Sequence, residues 1–82
     1  MNITIYSTTT CAFCRVLTAW LDKEKIAYTK KNTDEDDMAL VEYMSVNEGN
    51  LSVPFTVLMD DSGKQTKIIG FDQPAFKAAL NI

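Results

Sequence analysis

Hydrophobic residues near the start of the chain change from an alternating to a helical spacing. Residues 3–6 alternate apolar and polar side chains and predict a short β-strand, and the small polar residues 7–10 predict a loop. The next apolar residues are spaced i, i+3, i+4, i+7 and i+8, as on one helical face. They are Phe13, Val16, Leu17, Trp20 and Leu21. We therefore expect a first helix from about Cys11 to about Lys25.

The middle of the chain predicts a second strand and a second helix. Residues 26–29, Ile-Ala-Tyr-Thr, favour the strand. Thr33 or Asp34 is then expected to cap the helix, because both side chains accept hydrogen bonds from free backbone N–H groups. The apolar residues of this helix are Met38, Leu40, Val41 and Met44.

The last part of the chain predicts a β-hairpin followed by a helix. After a loop at 46–50, the apolar run 53–59 is typical of a strand covered on both faces. The turn residues 60–63, Asp-Asp-Ser-Gly, predict a return strand over 64–69. Asp72 is expected to cap a final helix that has Pro74 in its first turn. Its buried stripe consists of Phe76, Ala79 and Leu80. The predicted order is β-α-β-α-β-β-α, an α/β fold.

Composition and charge narrow the functional classes. A chain of 82 residues is enough for one domain, which we place over residues 1–82. The formal net charge of -3, from 8 basic and 11 acidic residues, argues against nucleic acid as a partner. Residues 1–4 do not resemble a signal peptide, and no apolar run approaches the roughly 20 residues of a membrane-spanning helix. We expect a cytoplasmic protein with no membrane partner.

Cys11 and Cys14 are the only cysteines, and the chain contains no His. A structural disulfide is disfavoured in a reducing cytosol, and so short a loop adds little stability. At a helix N-terminus, however, free N–H groups and the helix dipole stabilise a thiolate. We predict that Cys11 is the nucleophile and has a lowered pKa. Cys14, one turn later, is predicted to be shielded and to resolve the mixed disulfide.

A cysteine pair also fits half of a metal site. A mononuclear zinc site needs about two further ligands, which here only carboxylates or a second chain can supply. An iron–sulfur cluster shared through Cys11 of two subunits is a related alternative. Redox chemistry is favoured over both, because the pair follows a strand and opens a helix. We therefore predict no metal and no cofactor, and keep the metal-binding module as an alternative.

The segment Tyr6–Cys14, followed by Val53-Pro54 and later by Gly70-Phe71-Asp72, resembles the glutaredoxin family. The resemblance covers essentially the whole chain and implies a single-domain thioredoxin/glutaredoxin fold with a four-stranded mixed sheet. It also implies a cis Val53–Pro54 bond that faces the cysteines, with the backbone of Val53 aligning the substrate. The substrate-binding residues expected in addition to the catalytic pair Cys11 and Cys14 are Phe13, Val53, Pro54, Gly70, Phe71 and Asp72.

The same residues point to two different substrate classes. Glutathione-dependent members have Pro-Tyr between the cysteines and often a Lys shortly before them, where this chain has Ala12-Phe13 and Thr8. Gly70-Phe71 with Pro74 resembles NrdH-type redoxins, which donate electrons to ribonucleotide reductase and are reduced by thioredoxin reductase. We therefore favour a monomeric electron donor for protein disulfides.

Two other segments resemble mycoredoxins, which reduce mixed disulfides of a small thiol. These segments are Tyr6–Thr9 and Val46–Asn50. Reduction of glutathione or mycothiol mixed disulfides is therefore kept as the alternative function, with a small thiol in place of thioredoxin reductase as the reductant.

Overall fold

Four strands and three helices follow one another in the predicted order. The computed structural model describes residues 1–82. Its elements are β1 (Asn2–Ser7), α1 (Ala12–Lys23), β2 (Thr29–Asn32), α2 (Asp37–Val46), β3 (Phe55–Met59), β4 (Gln65–Ile69) and α3 (Gln73–Leu80). This confirms the predicted α/β fold. None of the three helices has the length and apolar character needed to cross a membrane.

The strands form one mixed sheet in the order β2-β1-β3-β4. β1 is parallel to β2 and antiparallel to β3, and β3 is antiparallel to β4. Tyr6 lies opposite Phe55, so β3 begins beside the end of β1. The loop after β1 and the segment before β3 therefore meet where these strands end and begin. We call this end of the sheet the cysteine edge.

The sheet separates two apolar clusters because successive side chains of a strand point to opposite faces. The larger core lies between one face of the sheet and the helices α1 and α3, and its buried residues are Ile3, Ile5, Leu17, Leu21, Leu58, Ile68 and Phe76. The smaller core lies under α2 on the other face and consists of Tyr6, Tyr43, Phe55 and Val57. One helix thus covers one face of the sheet, and two helices cover the other.

α1 is slightly shorter than predicted, and its buried face is rotated. Cys11 is the N-cap, and the buried residues of the helix are Cys14, Leu17, Thr18 and Leu21. Phe13 and Val16, which the spacing placed on the buried face, are 68% and 49% exposed. Hydrophobic spacing alone does not reveal that Cys14 and the polar Thr18 occupy buried positions of this helix.

The predicted position of β2 is wrong by three residues. The strand is Thr29–Asn32, and its register runs from Thr4 opposite Thr29 to Ser7 opposite Asn32. Ile26 and Tyr28, which suggested the strand, instead pack against the larger core from the preceding connection. β2 is an edge strand held by backbone hydrogen bonds to β1, so it does not require apolar side chains.

The predicted cap of α2 is also wrong, because Asp36 and not Thr33 or Asp34 fills that position. Asp36 Oδ1 accepts a hydrogen bond from the backbone N–H of Met38 at 2.9 Å. The buried residues of α2 are Ala39 and Tyr43. Its larger apolar side chains form an exposed outer face of Met38, Leu40, Val41 and Met44.

The C-terminal elements agree closely with their predictions. β3 is almost continuously buried, and β4 returns antiparallel to it. Asp72 caps α3, since its Oδ1 accepts a hydrogen bond from the N–H of Ala75 at 3.1 Å, and Pro74 lies in the first turn. Phe76 is 0% exposed, and Ala79 and Leu80 pack against the larger core.

Candidate active site

Cys11 and Cys14 form a disulfide across the first turn of α1. Their Cα atoms are 5.2 Å apart. Cys11 is partly exposed, whereas Cys14 is 0% exposed. The N–H of Cys14 donates to Cys11 Sγ at 3.1 Å, as expected for a side chain at the N-cap. A negative charge on Cys11 would therefore be stabilised by a backbone donor and by the helix dipole.

The loop between β1 and Cys11 is fixed by the carboxylate of Asp34, which lies in the connection between β2 and α2. The N–H of Thr9 donates to both oxygens of Asp34, at 3.1 and 3.0 Å, and its hydroxyl donates to Asp34 Oδ2 at 2.6 Å. These hydrogen bonds lower the pKa of Asp34 below its ordinary value. Asp34 therefore positions the segment that leads into the nucleophile.

The end of β1 is fixed by the last residue of β2 and by the residue that follows it. The N–H of Thr33 donates to the carbonyl of Ser7 at 2.9 Å, and the buried Ser7 hydroxyl donates to Asn32 Oδ1 at 2.9 Å. Sequence reasoning missed these contacts and that of Asp34, because it assigned the polar run 33–34 to a helix start. Only the parallel pairing of β1 with β2 brings the run to the cysteines.

The Val53–Pro54 peptide bond is cis, as the resemblance implied. Pro54 is buried and Val53 is partly buried directly before β3, at the cysteine edge. The N–H of Gly70 donates to the carbonyl of Pro54 at 2.8 Å. Gly70 has φ +76°, a backbone conformation that favours glycine. This bond brings Gly70 beside the cis bond, and the other two predicted residues, Phe71 and Asp72, follow it in the chain.

Tyr43 anchors the segment that precedes Val53 and was also missed by sequence reasoning. Its hydroxyl lies within hydrogen-bond distance of the carbonyls of Asn50 and Ser52, at 2.8 and 2.9 Å. The ring packs edge-on against Phe55, with the ring centres 5.9 Å apart. α2 therefore supports the segment that leads into the cis Val53–Pro54 bond, although none of the residues of α2 belongs to a recognised motif.

The predicted aromatic and acidic site residues differ in solvent exposure and in the contacts that they make within the protein. Phe13, between the cysteines, is mostly exposed. Phe71 is partly buried and packs against Trp20, with ring centres 6.0 Å apart. Asp72 is exposed and uses one carboxylate oxygen to cap α3. Phe13 is thus the most accessible apolar side chain of this group.

A polar network joins α2 to β1 and β2. Lys31 Nζ lies 2.7 Å from both carboxylate oxygens of Glu42, and the Tyr6 hydroxyl donates to Glu42 Oε1 at 3.2 Å. Burial, followed by the charge of Glu42, raises the pKa of Tyr6 to about 12. The hydrogen bond from Lys31 lowers the pKa of Glu42. The positive charge of Lys31 is therefore already paired within the protein.

The side chains do not assemble a complete metal site. No group of three or more Cys, Asp or Glu residues lies close enough together to hold an ion. A mononuclear zinc centre within one chain, one of the alternatives drawn from the sequence, therefore lacks its ligands.

Comparison with known proteins identifies a family model and relatives that are similar to this chain. The family model described as Glutaredoxin matches residues 3–62. Mycoredoxin 1 of Corynebacterium glutamicum is 40% identical over 65 residues, which cover 79% of this chain and 78% of that protein. Global transcriptional regulator Spx 2 of Bacillus anthracis is 39% identical over 44 residues, and this chain spans only 34% of its length.

Solved structures share the same fold at low sequence identity. The glutaredoxin of Methanosarcina mazei superimposes with a TM-score of 0.80 at 20% identity, over 99% of this chain and 79% of that one. A glutaredoxin of Archaeoglobus fulgidus gives a TM-score of 0.77 at 20% identity, over 99% of this chain and 87% of that one. These similarities confirm the predicted thioredoxin/glutaredoxin fold.

Proposed function

Since the chain belongs to the glutaredoxin family of thiol–disulfide oxidoreductases, we propose that it reduces protein disulfides with Cys11 and Cys14 as a dithiol pair. The observation that carries the proposal is the arrangement of the two sulfurs. Cys11 is accessible at the start of α1, and Cys14 is fully buried one turn behind it. Such an arrangement supports a nucleophile that meets the substrate and a resolving cysteine that does not.

In the proposed reaction, the Cys11 thiolate attacks one sulfur of the substrate disulfide. The substrate disulfide breaks, its second sulfur leaves as a thiolate, and a mixed disulfide forms on Cys11. The Cys14 thiolate then attacks Cys11 Sγ and displaces the first substrate sulfur. The substrate gains two electrons and two protons, and the protein is left with the Cys11–Cys14 bond.

The substrate segment is proposed to lie between the cysteines and the cis bond. The backbone of Val53 aligns it as an extended strand, with Pro54 closing the site behind it. Phe13 offers an apolar contact on one side. Gly70, Phe71 and Asp72 form the opposite rim, which the Gly70–Pro54 hydrogen bond supports.

The distribution of charge favours a protein disulfide over glutathione. Thr8 stands where glutathione-dependent members often have Lys. Lys31 is paired with Glu42, and Lys67 lies 3.0 Å from Glu48. Neither of these two lysines is therefore free to hold a carboxylate of an anionic tripeptide. Together with the NrdH-type pattern at Gly70, this favours a substrate such as ribonucleotide reductase and thioredoxin reductase as the reductant.

A second candidate is reduction of mixed disulfides formed with a small thiol. The similarity to mycoredoxin 1 supports it, since it extends over most of both chains. In that reaction a second small thiol can release the intermediate from Cys11, so Cys14 is not required.

We place either reaction in the cytoplasm and in a monomer. A reducing compartment keeps such a cysteine pair available for repeated exchange.

Turnover of three proteins separates the two candidates. Wild type, Cys14→Ser and Cys11→Ser are assayed with thioredoxin reductase and NADPH, and separately with glutathione and mycothiol recycling systems. We expect thioredoxin reductase to support wild type, Cys14→Ser to stop after one mixed disulfide, and Cys11→Ser to be inactive. Efficient recycling by a small thiol, with Cys14→Ser still active, would overturn protein-disulfide reduction in favour of the second candidate.

A further inference from the structure

Thr56 carries the only buried side-chain oxygen or nitrogen that has no hydrogen-bond partner in the protein. The residue is 0% exposed. Buried hydroxyl groups are nearly always hydrogen-bonded, because an unpaired one loses its contacts with water without replacement. The Thr56 hydroxyl therefore suggests a partner that becomes available in another state of the protein.

Thr56 and the resolving cysteine both face the layer between the sheet and α1. It is the first residue of β3 that faces α1 and α3, since it pairs with Ile5 and precedes Leu58 by two positions. β3 begins at the cysteine edge, and α1 starts from the same edge. Cys14 is the first buried residue of α1 and is also 0% exposed. Both side chains thus lie between the sheet and α1, at the end of each element that is nearer to the cysteine edge.

The other hydroxyl groups in this layer already have partners. The Ser7 hydroxyl donates to Asn32 Oδ1, and the Thr18 hydroxyl donates to the carbonyl of Cys14 at 3.1 Å. Cys14 Sγ is different because its hydrogen-bonding capacity depends on the redox state. A disulfide sulfur is a weak acceptor, whereas a thiolate is an anion that accepts strong hydrogen bonds.

We propose that Thr56 is a positioning residue for the resolving step. In the reduced protein and in the mixed disulfide, its hydroxyl donates a hydrogen bond to Cys14 Sγ and stabilises the thiolate. The thiolate then attacks Cys11 Sγ, the bond between Cys11 and the substrate sulfur breaks, and that sulfur leaves with the electron pair. Thr56 keeps its proton throughout. This inference rests on the proposed dithiol function.

The need for such a donor follows from the burial of Cys14. Burial disfavours the charged form of a thiol, so a shielded cysteine would otherwise contain little thiolate at neutral pH. The N-terminal end of α1 helps Cys11 first, because the Cys14 N–H points to Cys11 Sγ. A hydroxyl from β3 gives Cys14 a donor of its own.

The resolving step can be observed without a natural substrate. Reduced protein is mixed with the aromatic disulfide dithionitrobenzoate, whose coloured thiolate is released in two phases. Attack by Cys11 gives the first phase, and attack by Cys14 on the mixed disulfide gives the second. The variants are Thr56→Val, which replaces the hydroxyl by a methyl group, and Thr56→Ala, which removes it without adding volume. Thr56→Ser keeps the hydroxyl, and Thr66→Val is the matched control on β4.

Loss of the hydroxyl is expected to slow only the second phase, by about tenfold at neutral pH, and to move its pH midpoint up by about one unit. The hydrogen bond favours the reduced form of the cysteine pair. Its loss is therefore expected to shift the equilibrium with dithiothreitol about tenfold towards the disulfide, which corresponds to a reduction potential about 30 mV lower. Thr56→Ser and Thr66→Val should resemble wild type.

A second phase whose pH midpoint and rate are unchanged in both Thr56→Val and Thr56→Ala would overturn the role of Thr56 while leaving the dithiol function intact. A wild-type protein that releases only one equivalent of thiolate would instead contradict the dithiol function, and the role of Thr56 with it.

Discussion

At the scale of single residues, the surroundings of a side chain decide what its chemistry can do. Cys11 accepts a backbone hydrogen bond and meets solvent, whereas Cys14 has the same thiol chemistry in a fully buried position. Tyr6 keeps its hydroxyl proton to an unusually high pH because it is buried beside Glu42. Both differences can be measured on the intact protein.

Alkylation of the reduced protein should distinguish the cysteines. With a small excess of iodoacetamide near neutral pH, we expect Cys11 to be modified first, because it is accessible and its thiolate is stabilised by α1. Peptide mass spectrometry gives the order of labelling. In Cys11→Ser the remaining thiol should react at least about tenfold more slowly than Cys11 does in Cys14→Ser. Faster modification of Cys14 would contradict the assigned roles.

We predict that the folded protein loses stability in alkali because Tyr6 ionises. Its pKa is raised from 10.0 to about 12 in the folded protein, so the stabilisation is complete below pH 10 and is lost as pH rises through 12. Tyr6→Phe keeps the ring but removes the hydrogen bond to Glu42, and should cost about 1 kcal/mol near pH 8. Urea unfolding should show this difference shrinking towards pH 12. A difference independent of pH would exclude the ionisation of Tyr6 as its cause.

At the scale of elements, the position of the nucleophile depends on contacts between segments distant in sequence. Asp34 follows β2, yet it holds the loop between β1 and α1. Tyr43 of α2 holds the segment before the cis bond. The loop before Cys11 and the segment before the cis bond are therefore each held by a residue from a different part of the chain.

Replacement of Asp34 should loosen the loop before Cys11. The hydrogen bonds from Thr9 lower the pKa of Asp34 from 3.8, so its stabilisation is present above that value and is lost as pH falls through the lower folded value. We expect Asp34→Asn to speed hydrogen exchange of the Thr9 amide and to lower the melting temperature at pH 7 more than at pH 3. Asp37→Asn is the matched control. An unchanged Thr9 exchange rate would show that the carboxylate charge does not hold this loop.

The success of the sequence prediction also differs between elements. β4 and α3 follow from local chemistry, because the turn at 60–63, the cap Asp72 and Pro74 specify them within a few residues. The position of β2 depends on its pairing with β1, which local propensity does not report. The prediction therefore identified the cysteine pair and the cis bond but not their anchors, Asp34 and Tyr43, whose partners are remote in sequence.

At the scale of the whole molecule, stability rests on a small number of core residues. The free energy of unfolding of a typical chain of 82 residues is about 4–12 kcal/mol. Phe76 is 0% exposed and joins α3 to Trp20 of α1, with ring centres 6.0 Å apart. Such a residue connects both helices of the larger core to each other and to the sheet.

Truncation of Phe76 should remove a large part of this free energy. We expect Phe76→Ala to cost about 3–5 kcal/mol, since it leaves a cavity in the larger core. Phe13→Ala is the matched control, because Phe13 is 68% exposed, and it should change stability by at most about 0.5 kcal/mol. Both values come from chemical denaturation of the two variants. Equal losses would mean that Phe76 is not the main contact between the helices.

The outer face of α2 affects how the molecule tolerates oxidants. Met38 and Met44 are 70% and 54% exposed, while α2 is held to the sheet by Ala39 and Tyr43. Oxidation of a methionine thioether to the sulfoxide makes an apolar side chain polar, which disrupts a core but is accommodated at a surface. Oxidation of Met38 is therefore expected to leave the packing of α2 unchanged, whereas the Met44 sulfur accepts a hydrogen bond from Nδ2 of the buried Asn47 at 3.7 Å, so that its oxidation alters a contact at the end of the helix.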